Sequence, residues 1–382
     1  MVSTGGGSRS VPPLRIVVVA PPYFELPPEG YGGIEAVVAD LVEGLVARGH
    51  DVTVIGAGRG KLPAEFIHTV EEPPSAEVGT VLPEILHAIS AAHVVDELVA
   101  GGGVDVVHDH TAAGPLLARR WRTPVVVTAH GPVVGPWLDY YKHISVDSHL
   151  VAISDSQRRS APGLRWAGRV HNGVVPDEFP YRAAKEDFAL WLGRYNADKA
   201  PHLAIDAARA AGLPIVLAGK CTEEPEKEFF EAEVRPRLGS DVTVAGAVGF
   251  AEKTDLLSRA RCLLFPLQWD EPFGMVLIEA MVCGTPVVSL PRGAVPEVVV
   301  DGVTGLVCAG LDELPEALHA VRDIDPAACR RHVEEHFTMA ATTAGYEEIY
   351  RQALLATDEP PQLPGLSTRP GPDEQPLEGS SA

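Results

Sequence analysis

Residues 262–289 read CLLFPLQWDEPFGMVLIEAMVCGTPVVS. Cys262 to Phe265 form a short apolar run of strand character, and residues 286–289 form another. Between them, Pro272 suits a first helical turn and Gly284 suits a helix stop. From Met275 to Cys283 the sole polar residue is Glu279. A helix apolar all round is a buried one, and short apolar strands on either side of it are covered on both faces, as in a parallel sheet. Strand, helix and strand in this order are the repeating unit of an α/β fold.

The alternation continues outward from this unit. Residues 188–192, 215–218 and 242–245 read as strands, with helices over 201–211, 223–238 and 252–260. Further upstream, residues 14–20, 51–55, 104–108, 124–128 and 150–153 read as strands, with helices over 33–49 and 83–100. The turn-rich stretch His171-Asn172-Gly173-Val174-Val175-Pro176-Asp177 separates the two series. The expected fold class is therefore α/β, with two doubly wound Rossmann-like domains facing a cleft. Their expected limits are 14–178 and 179–337. A flexible N-terminus over 1–13, a last helix over 338–356 and a disordered Pro/Gly-rich tail over 357–382 complete the chain.

Composition narrows the function. The 382 residues carry a formal net charge of −21, which argues against nucleic-acid binding, a role that usually needs a basic face. The cluster Arg119-Arg120-Trp121-Arg122 reads as a solvated helix end and leaves room for a peripheral membrane contact. No run approaches the roughly 18–20 apolar residues of a transmembrane helix, and MVSTGGGSRSVPP has no apolar leader. Five scattered cysteines without a CxxC pair suit reduced thiols in a cytoplasm.

Two segments carry candidate chemistry. Glu279 on the buried helix needs partners, either the hydroxyls of a ribose or a neighbouring arginine. The amides of Phe273, Gly274 and Met275 have no intrahelical acceptor and can cradle an anion. Glu271 just ahead of them could cap the helix or hold a sugar hydroxyl. The second segment is Leu192-Gly193-Arg194-Tyr195-Asn196-Ala197-Asp198-Lys199-Ala200-Pro201. Arg194 leaves the C-terminal end of a strand, where open α/β sheets bind ligands. Asp198 looks like an N-cap, which puts Lys199 in a first turn against the helix dipole at a cost of about 0.3–1 kcal/mol. A bound diphosphate reverses that sign. Gly32 and Gly33 precede the first helix without the full GxGxxG spacing. His130 and Gly131, like Asp109 and His110, end strands on the same edge.

The run EPFGMVLIEAMVCGTPVV, followed by GAVPEVVVDGVTGLV, resembles the family 4 retaining glycosyltransferases of GT-B fold. Glu271 and Glu279 match a Glu-x7-Glu pattern. LGRYNADK resembles the Arg-x4-Lys diphosphate segment, YGGIE the N-terminal glycine loop, and VHNGV the approach to the interdomain linker. The resemblance covers about residues 14–356. It implies that Arg194 and Lys199 bind the donor diphosphate and that Glu279 binds the ribose. It implies that Glu271 and the amides of Phe273, Gly274 and Met275 hold the donor sugar. His130 would meet the sugar near its reacting face, and Gly32 and Gly33 would let the first domain close on the phosphates. Backbone around residues 246–250, including Gly249, would hold the base, and the last helix would return to the first domain. The implied catalytic set is His130, Arg194, Lys199 and Glu271. The resemblance further implies retention of anomeric configuration, a UDP-sugar donor by family frequency, and no metal or other cofactor. The acceptor stays open among metabolite, lipid and polysaccharide. Val175-Pro176 and Gly131 depart from the family pattern on the acceptor and linker side. Rival readings are a pyridoxal-phosphate phosphorylase, a sugar-nucleotide epimerase and a non-catalytic nucleotide-sugar sensor.

Overall fold

The computed structural model describes residues 12–30 and 32–357. Tyr31, the expected flexible start up to residue 11 and the tail from 358 lie outside them.

Two all-parallel sheets form the frame. The first holds β1 (Arg15–Val19), β2 (Asp51–Ala57), β3 (Glu65–Val70), β4 (Val106–Asp109), β5 (Val125–Ala129), β6 (His149–Ala152) and β7 (Trp166–Arg169), in the order β3-β2-β1-β4-β5-β6-β7. The second holds β8 (Ala189–Leu192), β9 (Ile215–Ala218), β10 (Val242–Gly246), β11 (Cys262–Phe265), β12 (Val287–Ser289) and β13 (Gly305–Val307), in the order β10-β9-β8-β11-β12-β13. Strand order reverses beside β1 in one sheet and beside β8 in the other. Such switch points open a crevice at the C-terminal edge of the strands.

The connecting helices of the first half are α1 (Gly33–Ala47), α2 (Val81–Ala100), α3 (Pro136–Ile144) and α4 (Asp155–Ser160). Those of the second are α5 (Pro201–Ala210), α6 (Glu224–Phe229), α7 (Phe250–Arg259), α8 (Met275–Val282), α9 (Val295–Val298), α10 (Leu314–Ala320) and α11 (Pro326–His336). The last helix is α12 (Met339–Thr357). In α1, Val37, Val38, Leu41, Val42 and Leu45 are buried, the stripe expected of an amphipathic helix on a sheet. Met339, Tyr346, Ile349, Tyr350 and Ala353 of α12 enter the same core as β1 and α1. Phe337 belongs instead to the core of the second half.

The chain passes between the halves twice, side by side. Val174 and Thr338 form a parallel bridge, with Val174 N to Phe337 O at 3.0 Å and Met339 N to Val174 O at 2.8 Å. A Cβ on Gly173 would lie 2.5 Å from the Thr338 carbonyl, so the crossing admits only glycine there. The Arg330 guanidinium donates to the carbonyls of Pro176, Phe179 and Val282, each at 3.1 Å, and locks the first crossing onto the second half.

Some expected elements differ. The helix expected over 223–238 stops as α6, widens to a π-type turn over Phe230–Val234 and tightens to a 3-10 turn over Arg235–Arg237. Pro236 has no amide to continue the ladder. Strands β3, β7 and β13 were not expected. The cluster Arg119-Arg120 ends a 3-10 segment, Gly114–Arg120, with Arg119 paired to Asp147 and Arg120 to Asp96. Among the described residues no helix is long and apolar enough to cross a membrane.

Candidate active site

A cavity of about 690 Å³ lies between the two sheet edges. Its walls come from loops at the C-terminal ends of strands, as the switch-point rule requires. The first half contributes Gly32, Gly33 and His130. The second contributes Arg194 after β8, Lys220 after β9, Gly249 and Lys253 at the start of α7, and Glu271, Phe273, Gly274, Met275 and Glu279 around α8. Lys199 completes the set, so the catalytic and donor-binding residues that the resemblance implied all line one cavity, whereas Asp109, His110, Gly131 and Asp198 do not.

The cations and acids of this cavity meet in pairs. Lys199 Nζ forms an ion pair with Glu271 Oε2, which also accepts from Trp269 Nε1 at 3.1 Å. The same ammonium lies 5.0 Å from the Trp269 ring and 5.3 Å from the Phe265 ring. Lys253 Nζ donates to Glu279 Oε1 at 2.8 Å. Lys220 pairs with Glu223 at 2.8 Å. Among the described residues Arg194 has no ion pair, which leaves its guanidinium fork available to an anion in the cavity.

Three local readings are corrected. Asp198 is not an N-cap: Ala200 holds that place at φ 51°, and α5 begins at Pro201. Lys199 therefore precedes the helix, with its amide on Asn196 Oδ1 at 3.0 Å. Glu271 does not cap α8. That helix starts at Met275, after Gly274 at φ 85°. A residue with a Cβ resists this left-handed turn, and here it would also meet Leu277 Cδ1 at 2.9 Å. The turn frees the Glu271 carboxylate for Lys199. Glu279 is half-buried on the cavity wall, not enclosed, and its side-chain partner is Lys253, not the arginine weighed as the alternative to a ribose.

Behind the cavity, His130 Nε2 lies 2.8 Å from His110 Nδ1. His108 is held by Tyr350 OH at 2.8 Å and by Thr128 Oγ1 at 2.9 Å. Burial lowers the pKa of His130 to about 4 and that of His108 to about 3. His110 is pushed well below its usual value by burial and by the other two imidazoles. Burial raises Glu35, beside Gly32, to about 7. Asp40 of α1 is also raised to about 7, by burial first and then by Glu178, Glu43 and Glu279.

Sequence reasoning missed Lys220, Lys253 and Glu297. Gly219-Lys220 after β9 repeats Gly193-Arg194 after β8, a readable echo. Lys253 lies in the first turn of α7, the dipole-opposing position that drew attention to Lys199. Glu297 had no comparable signal. It reaches from the second half to accept from Asp155 N at 2.7 Å and Ser156 N at 3.0 Å, and it meets His171 Nε2 at 2.5 Å.

Comparisons with known proteins bear on both halves. Residues 31–178 match the sequence family described as Glycosyltransferase Family 4, and residues 177–323 match Glycosyl transferases group 1. The glycogen synthase of Mycobacterium tuberculosis is 28% identical over 426 residues, covering 92% of this chain and 98% of its own. The D-inositol 3-phosphate glycosyltransferase of Mycolicibacterium smegmatis is 28% identical, covering 66% of this chain and 68% of its own. Among solved structures, AviGT4, a glycosyltransferase involved in avilamycin A biosynthesis, superposes with a TM-score of 0.68 at 29% identity, covering 90% of this chain and 99% of that one. Anabaena HepE in complex with UDP-glucose has the same fold, with a TM-score of 0.69 at 17% identity over 89% of this chain and 100% of that one. With each half matched and the whole superposing on such enzymes, this chain belongs to glycosyltransferase family 4 and has the GT-B architecture.

Proposed function

We propose that this protein transfers a sugar from UDP-sugar to an acceptor hydroxyl with retention of configuration at the anomeric carbon. One observation carries the reading: Arg194, Lys199 and Lys220 line a single cavity together with Phe273, Gly274 and Met275 at the start of α8, and with Glu271 and Glu279. Cations and a helix terminus together stabilise the charge that grows on a departing diphosphate. Residues 179–337 serve as the donor half, residues 14–178 as the acceptor half, and residues 338–356 as the helix that returns to the latter. HepE, whose structure contains UDP-glucose, supports UDP as the carrier.

In the reaction, the bond between the anomeric carbon and the β-phosphate oxygen breaks as the acceptor oxygen bonds to that carbon. The acceptor's proton passes to the departing phosphate oxygen, so the balance needs no outside base. Arg194 and Lys199 hold the diphosphate, Glu279 the ribose, and Glu271 with the amides at Phe273–Met275 the sugar. His130, Gly32 and Gly33 close the site from the acceptor half, with Gly249 backbone at the base. Closure excludes water and limits donor hydrolysis. The cytoplasm is the compartment we infer, in keeping with five unpaired thiols.

Calorimetric titration with UDP, GDP and dTDP tests the site. Lys199→Ala and Arg194→Ala should each weaken UDP binding by about ten- to a hundred-fold, the scale of one charged hydrogen bond. Unchanged affinity in both variants would remove the diphosphate assignment. Sugar transfer that requires an added acceptor separates this reading from an epimerase, which needs none.

A further inference from the structure

His130 lines the cavity, and its ring is held by a second imidazole. His130 Nε2 faces His110 Nδ1 at 2.8 Å, with ring centroids 5.1 Å apart. His130 Nδ1 has no partner among the described residues and is not one of the enclosed, unpartnered polar atoms, so it is the ring nitrogen open to the cavity. His110 is buried, at 4% exposure. Its Nε2 is enclosed with no hydrogen-bond partner, and its ring packs on His108 with centroids 4.0 Å apart.

A single proton lies between the two facing nitrogens, because burial keeps both rings neutral near pH 7. Two arrangements exist. If His130 Nε2 carries it, neutral His110 must hold its own proton on Nε2, a buried donor with no acceptor. If His110 Nδ1 carries it, His110 Nε2 is a bare lone pair. Buried orphan donors are rarer than under-used acceptors, so the second arrangement is favoured. In a neutral imidazole the bond made by one nitrogen fixes the state of the other.

We propose that His110 is a positioning residue that donates from Nδ1 to His130 Nε2 and fixes His130 as its Nδ1–H tautomer, a hydrogen-bond donor aimed at an oxygen of the bound sugar. The inference rests on the reading of this cavity as a donor-sugar site. It makes His130 a reader of the sugar and removes it as a base, because its lone pair is taken. That is consistent with an acceptor proton that leaves on the diphosphate.

Nitrogen-15 NMR of histidine-labelled protein reads the tautomer directly in the unaltered chain. We expect His130 to be protonated on Nδ1. In His110→Ala that signature shifts toward Nε2–H, and affinity for UDP-glucose falls about ten-fold, the effect of one neutral hydrogen bond, while UDP affinity holds. His110→Asn, whose amide can donate to His130 Nε2, restores both. An Nε2-protonated His130 in the unaltered chain overturns the proposal. So does a His110→Ala variant with the same tautomer and the same UDP-glucose affinity. If unaltered protein binds neither UDP nor UDP-glucose, the donor-site reading fails, while the NMR spectrum still decides the tautomer.

Discussion

Glu279 illustrates how a residue's meaning depends on what stands beside it. Its setting in an otherwise apolar helix marked it as an acid in need of a partner. The helix direction brings it to the cavity, and Lys253 supplies the charge. A ribose at this wall would exchange one partner for another. Glu279→Gln should therefore weaken UDP binding about ten-fold, the scale of a charged hydrogen bond, while leaving inorganic pyrophosphate affinity unchanged. Equal losses for both ligands would place Glu279 elsewhere than at the nucleoside. Asp109 behaves differently. Burial raises its carboxyl from the ordinary 3.8 to about 7, against the hydrogen bonds from Thr111. The folded chain keeps a proton there that the unfolded chain releases. Stability from this group is full below 3.8 and drains as pH rises to about 7. Asp109→Asn keeps an oxygen for Thr111 and removes that slope. Its melting temperature should gain on the unaltered protein across the same interval, and parallel melting curves would refute the assignment. The site residues that could be read were those whose charge conflicts with their surroundings, such as Glu279 in an apolar helix and Lys199 near a helix start. Glu297 could not, because its partners Asp155, Ser156 and His171 are more than a hundred residues away in sequence.

At the scale of elements, the central strands were legible because both faces are buried and the sequence there is continuously apolar. β11 is of this kind throughout, as are β1 from Ile16 and β5 up to Val127. β3 and β7 lie at the margins of their sheet, where Glu65, His68 and Arg169 replace the apolar run. β13 has three residues, too few for a period to show. The approaches to α5 and α8, where Asp198 and Glu271 were read as caps, were misread for a shared reason. In each, a left-handed residue, Ala200 or Gly274, turns the chain before the helix begins. Propensity does not reveal that turn at an alanine. α9 also acts as an element: it carries Glu297 to the first two amides of α4. Acidic groups at a helix start satisfy donors that the helix cannot. Glu297→Gln should raise hydrogen exchange at the amides of Asp155 and Ser156 about ten-fold or more. Exchange rates that stay level would show that the α4 start does not depend on this carboxylate.

For the whole molecule, the two-sheet plan followed from the alternation alone, but its assembly did not. The facing of the sheets depends on contacts between residues far apart in the chain. Arg330 gathers three carbonyls around the first crossing. Asp40 of α1 stands near Lys253 and Glu279 of the other half. Neither residue belongs to a pattern that a single sequence displays. The paired crossing at Val174 and Thr338 has one more implication, for modularity. Because the chain enters and leaves the second half at adjacent points, that half is topologically an insert within the first. A short splice across the gap could close the first half upon its own last helix without stretching the backbone. In such an arrangement one lineage of first halves can take up different second halves by exchange of a single continuous segment.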